Sequence, residues 1–159
     1  MVIAVLVWIA ATPLPPRSRP DPPWYSAVAD GYRIDMPTVP ATSVVAFGAG
    51  HVMASVDGPD AFVVVWFPTG DGSDPPGVLG RAVQALTTTP AHIISVRQGH
   101  TGPFPSTDVD ARLSAAYLHG RLLVIGRRTY LVAEITPGAS APPELTRLLS
   151  GFDPDPAAA

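Results

Sequence analysis

The chain has 159 residues, a length that suits a single domain large enough to bury a hydrophobic core. Its hydrophobic fraction of 47%, charged fraction of 14% and net charge of -3 are typical of a globular domain and give no indication of nucleic-acid binding. The sequence has no cysteine, lysine or asparagine, which excludes disulfides, thiolate catalysis, lysine Schiff bases, phosphate-loop lysines and N-glycosylation.

An apolar segment opens the chain. Residues 1–14 form an uncharged run about as long as the core of a signal peptide, and shorter than the roughly 20 residues of a membrane-spanning helix. Pro13 disfavours signal cleavage, and Arg17 and Arg19 would hold the following side in the cytoplasm by the positive-inside rule. The sequence predicts export or membrane anchoring through this segment; the alternative is a cytoplasmic protein in which the segment packs on the domain.

Residues 15–23 are predicted to be a linker. Six prolines between Pro13 and Pro23 favour extended polyproline II structure and exclude a helix. We interpret this stretch as a stiff spacer; the alternative is a ligand for a proline-binding domain.

Three strand regions follow. Residues 31–37 alternate apolar and polar side chains, which predicts a strand with one buried face that ends at Pro37. Residues 42–56 form a second strand region, in which Gly48–Gly50 predicts a bulge or bend. After turn residues at Asp57–Asp60, the segment Ala61–Pro68 is apolar on both faces, as expected in the middle of a sheet.

A helix is predicted next, with Asp74 as N-cap and Pro75 at the first helical position. Its apolar stripe consists of Val78, Leu79, Ala82, Val83 and Leu86. The stretch Thr87–Pro90 ends it, and His92–Val96 is predicted to be a strand, with His92 on its exposed or edge side. The stretch Arg97–Pro105 is predicted to be a loop.

The following region predicts a meander of three strands. From Asp108 onward, Val109 and Ala111 alternate with Asp108 and Asp110, which indicates a strand with one apolar and one charged face. We interpret the two aspartates as solvent-exposed and balanced by the adjacent Arg112. A turn is predicted at His119–Gly120, and a second at Gly126–Arg128, where both arginines would lie at a solvated hairpin tip.

A closing helix is predicted from residues 141–152. Leu145, Leu148, Leu149 and Phe152 fall at i, i+3, i+4 and i+7, Glu144 lies near the positive end of the helix dipole, and Gly151 can end the helix. The predicted domain covers residues 24–153, and residues 154–159 are predicted to be a disordered tail. The fold class is α+β: an antiparallel sheet of about six to seven strands with two packed helices, in the order β-β-β-α-β-β-β-β-α.

Three stretches resemble the PsbP/Mog-like fold and small exported proteins and lipoproteins of GC-rich, actinobacterial-type bacteria. They are YRIDMP at residues 32–37, GRLLVIGRRTYLVAEI at residues 120–135 and PELTRLLSGF at residues 143–152. The resemblance implies an antiparallel sheet with helices packed against it, no shared catalytic residues, and binding or accessory roles. Many bacterial members carry a lipid-modified cysteine after the signal segment, which this chain lacks.

Motifs for catalysis are absent from the sequence. There is no GxSxG motif, and His51, His92, His100 and His119 do not show the spacing of a metal site. We therefore predict no catalytic residue, metal or cofactor. The only binding candidates are Arg97, His100 and Phe104, because a predicted loop held by a rigid sheet is a common place for binding residues.

The predicted function is a non-enzymatic binding or accessory domain of the bacterial cell envelope. It would hold an apolar small molecule or lipid, or act as an adaptor for another envelope protein, and it would contact the membrane only through its N-terminal segment. Two alternatives stay open, a small hydrolase with His, Ser and Asp assembled by the fold, and a cytoplasmic protein-interaction domain. A deep apolar cavity favours the ligand, an exposed apolar patch favours the protein partner, and a cleft with His bonded to Ser or Asp favours the hydrolase.

Overall fold

The computed structural model describes residues 23–29, 31–45, 50–69 and 91–155, together with residues 77, 78 and 80. This part of the chain contains ten strands and one helix with defined bounds. The strands are β1 (Tyr25–Ala29), β2 (Tyr32–Met36), β3 (Ala41–Val45), β4 (Gly50–Asp57), β5 (Asp60–Pro68), β6 (His92–Thr101), β7 (Phe104–Arg112), β8 (Tyr117–Ile125), β9 (Arg128–Thr136) and β10 (Asp153–Pro154), and the helix is α1 (Pro143–Ser150).

Several predicted features lie outside the described residues. They are the apolar segment 1–14, the linker apart from Pro23, residues 48 and 49 of the predicted bend, and the end of the chain beyond residue 155. Most of the helix predicted after Asp74 also lies outside them. Of that helix, Gly77, Val78 and Gly80 are described and are helical.

The strands form two antiparallel sheets. The large sheet has seven strands in the order β3-β4-β5-β9-β8-β7-β6, and the small sheet has three in the order β1-β2-β10. Strands β5 and β9 lie near the centre of the large sheet and are buried over nearly their whole length. This agrees with the prediction that Ala61–Pro68 is a central strand, because an apolar run can be accommodated where both faces are covered.

The two faces of the large sheet carry separate hydrophobic clusters. We call the face that packs against the small sheet and α1 the helix face. Its cluster comprises Met53, Phe62, Val64, Trp66, Leu123, Ile125, Tyr130 and Val132 of the large sheet, Tyr32, Ile34 and Met36 of the small sheet, and Leu148 and Phe152. The opposite face contributes mainly Val63, Val65, Val109, Ala111, Leu122, Leu131 and Ile135 to a cluster that also includes Val78 and Ala91. The period-two alternation of the strands therefore divides the core into two layers.

Helix α1 confirms the predicted closing helix. Leu148 is fully buried and Phe152 nearly so, while Leu145 and Leu149 pack against the same cluster. Pro142 is the N-cap residue and the helix ends before Gly151. The 3.6-residue period thus identified the buried side of α1.

The predicted loop Arg97–Pro105 is wrong, because this stretch is a β-hairpin. Strands β6 and β7 continue to Thr101 and Phe104, which pair directly across a turn of two residues. Gly102, with a φ of 58°, is the first turn residue and Pro103 is the second. A glycine at positive φ followed by a residue at negative φ matches the twist of antiparallel strands, so the turn continues the ladder.

The predicted turn at His119–Gly120 is also wrong, because both residues lie inside β8. The chain reverses earlier, where the Leu113 amide donates a hydrogen bond of 2.8 Å to the Ala116 carbonyl. Gly120 is needed for a different reason: a Cβ atom there would lie 2.6 Å from the Cβ atom of Ala133 on β9. The glycine therefore permits close strand packing and does not form a turn.

The arginine-containing turn between β8 and β9 agrees with prediction in part. Gly126 and Arg127 form the turn, with Gly126 at a φ of 57°, and Arg127 is exposed. Arg128 is not at the solvated tip; its guanidinium carbon lies 4.3 Å from the centre of the Trp66 ring. The second arginine is therefore stabilised by stacking on an aromatic side chain.

The architecture confirms the α+β class and a predominantly antiparallel sheet. The short strands β1 and β10 were not predicted, and they build the small sheet by pairing on either side of β2. The chain is still hydrogen-bonded to this sheet at Asp155, whose amide donates to the Gly31 carbonyl over 2.9 Å. Ordered structure therefore reaches beyond residue 153.

Candidate functional site

Polar side chains cover the helix face where β6, β7 and β8 meet. Strand register places Ser95 opposite Asp110, Asp110 opposite His119, and His119 opposite Glu134 on β9. A second row, one step along the strands, pairs Arg97 with Asp108 and Asp108 with Arg121. We call Ser95, Arg97, Asp108, Asp110, His119 and Arg121 the polar wing.

Asp110 is the centre of the polar wing. The Ser95 hydroxyl donates to one carboxylate oxygen of Asp110 over 2.5 Å, and His119 Nδ1 donates to the other over 2.8 Å. The His119 side chain is only 2% exposed, and its Nε2 lies 3.4 Å from the Gly138 carbonyl oxygen. Both ring nitrogens of His119 therefore face oxygen acceptors within the protein.

The order of these contacts bears on catalysis. In a serine hydrolase, the hydroxyl donates to the imidazole, which removes its proton. Here Ser95 donates to the Asp110 carboxylate, and His119 is buried with both nitrogens engaged. This geometry does not activate Ser95 as a nucleophile.

The second row consists of charge pairs. Arg121 binds Asp108 through two nitrogens, at 2.6 and 3.2 Å, and its third nitrogen donates to the Thr101 hydroxyl over 3.2 Å. Arg97 Nη2 lies 3.6 Å from Asp110 Oδ2, and the Arg97 side chain is 70% exposed. Both aspartates are therefore neutralised from within the sheet, whereas Arg97 still faces solvent.

The electrostatics favour an ionised Asp110. Partial burial of Asp110 opposes its ionisation, but other contributions outweigh this cost. The hydrogen bonds from Ser95 and His119, with the positive charges of His119 and Arg97, hold the pKa of Asp110 below its usual value.

This pKa shift predicts a loss of stability in acid. Because the pKa of Asp110 is lower in the folded chain than in the unfolded chain, its carboxylate contributes stability above the unfolded value of about 3.9. That contribution is lost as the pH falls through the folded-state value. We expect Asp110→Asn to reduce the acid dependence of the unfolding free energy, measured by urea titration at a series of pH values. Asp153→Asn, at an exposed ion pair with Arg33, is the control, and equal acid dependence of the Asp110 variant and the wild type would contradict the prediction.

The three predicted binding residues are not brought together. Arg97 and Phe104 lie on the helix face of β6 and β7, where Phe104 is partly buried against the hydrophobic cluster. His100 pairs with Pro105 and lies on the opposite face, where it is exposed. His92 is exposed on β6, as predicted.

The contacts of Asp110 with Ser95 and His119, at the centre of the polar wing, were not predicted from the sequence. The alternation of Asp108 and Asp110 with apolar residues was visible in the sequence. The prediction that Arg112 balances the charge of the two aspartates is wrong, because Arg121 binds Asp108 and His119 binds Asp110. These partners lie on the next strand, so finding them required the register of β7 against β8. The misplaced turn at His119–Gly120 concealed that register.

Strand β6 forms one edge of the large sheet. Two of its apolar side chains are unusually exposed, Ile94 at 54% and Val96 at 44%. A register shift between Ile93 and Ser95 marks a bulge, after which pairing with β7 is regular up to Thr101. The edge strand thus exposes apolar side chains, and Val96, opposite Val109, lies on the face of the sheet that does not carry the polar wing.

A shallow groove lies elsewhere, on the small sheet. It has a volume of about 320 Å³ and is lined by Val28, Ala29, Gly31, Tyr32, Arg33 and residues 153–155. Arg33 and Asp153, two of the residues that line the groove, form an ion pair at 3.0 Å. The groove is open and partly charged, unlike a deep apolar cavity.

Among the described residues, no three His, Asp or Glu side chains are grouped so as to hold a metal ion. Within the same residues, no helix has the length and apolar character needed to cross a membrane. Comparison of the chain with protein-family models finds no match, and comparison with curated proteins finds none either.

Proposed function

We propose that the chain is a non-enzymatic binding domain that contacts another protein through strand β6. The observation that carries this proposal is the exposure of Ile94 and Val96 on an edge strand. Exposed apolar side chains on an unpaired edge are typical of a protein interaction surface. Strand β6 is held in place by its backbone pairing with β7 and by the contacts of Ser95 and Arg97 with Asp110.

An apolar small molecule or lipid is the weaker of the two proposed ligand classes. Between the large sheet and α1, the side chains of Ile34, Met36, Tyr130 and Leu148 are fully buried and belong to one cluster. Close packing of these side chains leaves the described sheet-helix interface occupied by the protein itself. This packing favours a role in binding another protein over binding of an apolar small molecule between the sheet and α1.

A hydrolase is the second candidate, and the hydrogen bond between His119 and Asp110 is the observation in its favour. The burial of His119 and the engagement of Ser95 by Asp110 weigh against it. A general base must reach the proton that it removes, directly or through one water. The non-enzymatic proposal therefore fits these contacts better.

The cellular location and the fold family belong to the same proposal. Residues 1–14 and the proline-rich residues 15–23 support export or anchoring in a bacterial cell envelope. The antiparallel sheet with a closing helix is consistent with a PsbP/Mog-like fold. Fractionation of cells expressing the full chain tests the location, and recovery in the cytoplasm would favour a cytoplasmic interaction domain.

Site-specific photocrosslinking tests the proposed interaction. A photoreactive residue is placed at position 96 in the full chain and expressed in a GC-rich bacterial host. We expect a discrete protein adduct that unlabelled domain suppresses by competition. Position 39 is the matched control, because Val39 is 73% exposed and precedes β3, the strand at the opposite edge of the large sheet. The absence of an adduct at position 96, or equal adducts at both positions, would contradict the proposal.

A further inference from the structure

Among the described strands, β6 is an edge strand, and none of them pairs with its outer side. In an antiparallel sheet, successive residues direct their amide and carbonyl groups alternately to the two sides of a strand. Within the described sheet, β6 has a neighbour only on its β7 side. Beyond the bulge, Ser95 to Thr101 keep a regular register with β7, so this stretch has the geometry that an additional strand requires.

Two exposed arginines lie on or beside β6. Arg97 is on β6 itself, and Arg112 lies on β7 opposite His92. The nearby carboxylates are already paired, Asp108 with Arg121 and Asp110 with His119 and Ser95. Arg97 also lies 3.6 Å from Asp110, but its side chain is 70% exposed and that of Asp110 only 22%. An incoming strand therefore meets guanidinium groups that have no equally exposed acidic neighbour in the polar wing.

This charge disfavours a second copy of the chain on the same edge. Full antiparallel pairing of Ser95–Thr101 with itself would place Gln98 opposite Gln98. The two Arg97 side chains would then be diagonal neighbours on one face, about 7–8 Å apart. Like charges at that position are destabilising, and a bulge with charged residues is a common protection of an edge strand against self-pairing.

The side chains of β6 indicate what an added strand should carry. Val96 and Arg97 lie on opposite faces of the sheet, because they are consecutive residues of one strand. A residue opposite Val96 would contact an exposed apolar side chain, and a residue opposite Arg97 would contact a guanidinium group. An extended segment that alternates apolar and acidic side chains satisfies both positions.

Resting on the proposed function, we infer that β6 binds an extended, acidic segment of a partner protein, which adds to the large sheet as an eighth strand beside Ser95–Thr101. Backbone hydrogen bonds to the edge would supply affinity. Contacts with Val96 and Arg97 would supply selectivity for alternating apolar and acidic residues.

Binding of defined peptides tests the inference. The probe is an acetylated and amidated heptapeptide of alternating glutamate and valine, titrated at low salt into the isotopically labelled full chain. We expect amide chemical-shift changes concentrated in residues 95–101. A lysine-valine peptide of the same pattern should bind at least about tenfold more weakly, because it replaces attraction to Arg97 by repulsion. A version that is N-methylated at every residue should lose binding, because it lacks all amide donors for strand pairing.

Protein variants give an independent comparison. Arg97→Gln should weaken binding of the acidic peptide about fivefold, the effect of one exposed charge pair. Arg33→Gln is the matched control, because Arg33 is also an exposed arginine with one aspartate partner, on the small sheet. The methylated peptide leaves the protein unchanged, so that comparison holds even if a variant folds poorly.

Several results would overturn the inference: no binding of the acidic peptide, equal binding of the lysine or methylated peptide, or shifts outside β6. Concentration-dependent dimerisation through β6 in sedimentation experiments would assign the edge to a second copy instead. If the adduct at position 96 persists while the acidic peptide neither binds nor competes, the inference fails and the proposed function stands. If the adduct is absent, the proposed function itself fails.

Discussion

Gly120→Ala is expected to lower the free energy of unfolding by about 3 kcal/mol, near the upper end of overpacking effects. The new methyl group would lie 2.6 Å from the Cβ atom of Ala133, 2.9 Å from the Val132 carbonyl oxygen and 3.1 Å from the Ala133 Cα atom. Two of these three atoms belong to the backbone of β9, which is held in the middle of the large sheet. The clash therefore requires movement of a strand and cannot be relieved by a rotamer change.

The matched control is Gly99→Ala on β6. There the added methyl group would lie 3.7 Å from the Ser106 hydroxyl oxygen, an ordinary van der Waals distance. We expect a change within about 0.5 kcal/mol. Urea unfolding of both variants measures the difference, and similar stabilities would show that β8 and β9 accommodate the methyl group.

Leu148→Ala is expected to reduce stability by about 2–5 kcal/mol, since it removes a large side chain that is fully buried. Leu148 belongs to the cluster that joins α1 to both sheets. The cavity left behind would be bordered by residues on several strands, which limits how far the structure can collapse. Thermal and urea unfolding give the magnitude.

The control for this variant lies on the same helix. Thr146 is exposed, and alanine has a higher helix propensity than threonine, so Thr146→Ala should change stability by about 0.5 kcal/mol or less. A cost of less than about 1 kcal/mol for Leu148→Ala would mean that α1 contributes little to the fold.

Hydrophobic periodicity and turn residues predicted those elements whose structure is determined by neighbouring residues in the chain. The helical period of Leu145, Leu148 and Leu149 identified the buried side of α1, and the apolar run at Ala61–Pro68 identified a central strand. The glycine at residue 126 correctly indicated a turn, because its positive φ is a requirement of that turn. In each case the information lies within about ten residues of sequence.

The turn at His119–Gly120 was predicted wrongly because glycine can either form a turn or allow two strands to pack closely. Gly120 and Gly102 look alike in sequence, but Gly102 forms a turn, whereas Gly120 allows two strands to approach closely. Only contacts with β9 distinguish these purposes. The hydrogen bond between Asp110 and His119 depends in turn on the correct position of β8, so the candidate site could not be assembled from alternation alone.

The pairing of β2 with β10 has a consequence for synthesis of the protein. Arg33 and Asp153 lie opposite each other across the small sheet although 120 residues separate them in the chain. During translation, β2 cannot pair with β10 until residues 153 and 154 have left the ribosome. Closing so long a loop carries an entropic cost and slows folding. The apolar helix face of the large sheet would stay incompletely covered until then, which makes the nascent chain a candidate for protection by a chaperone.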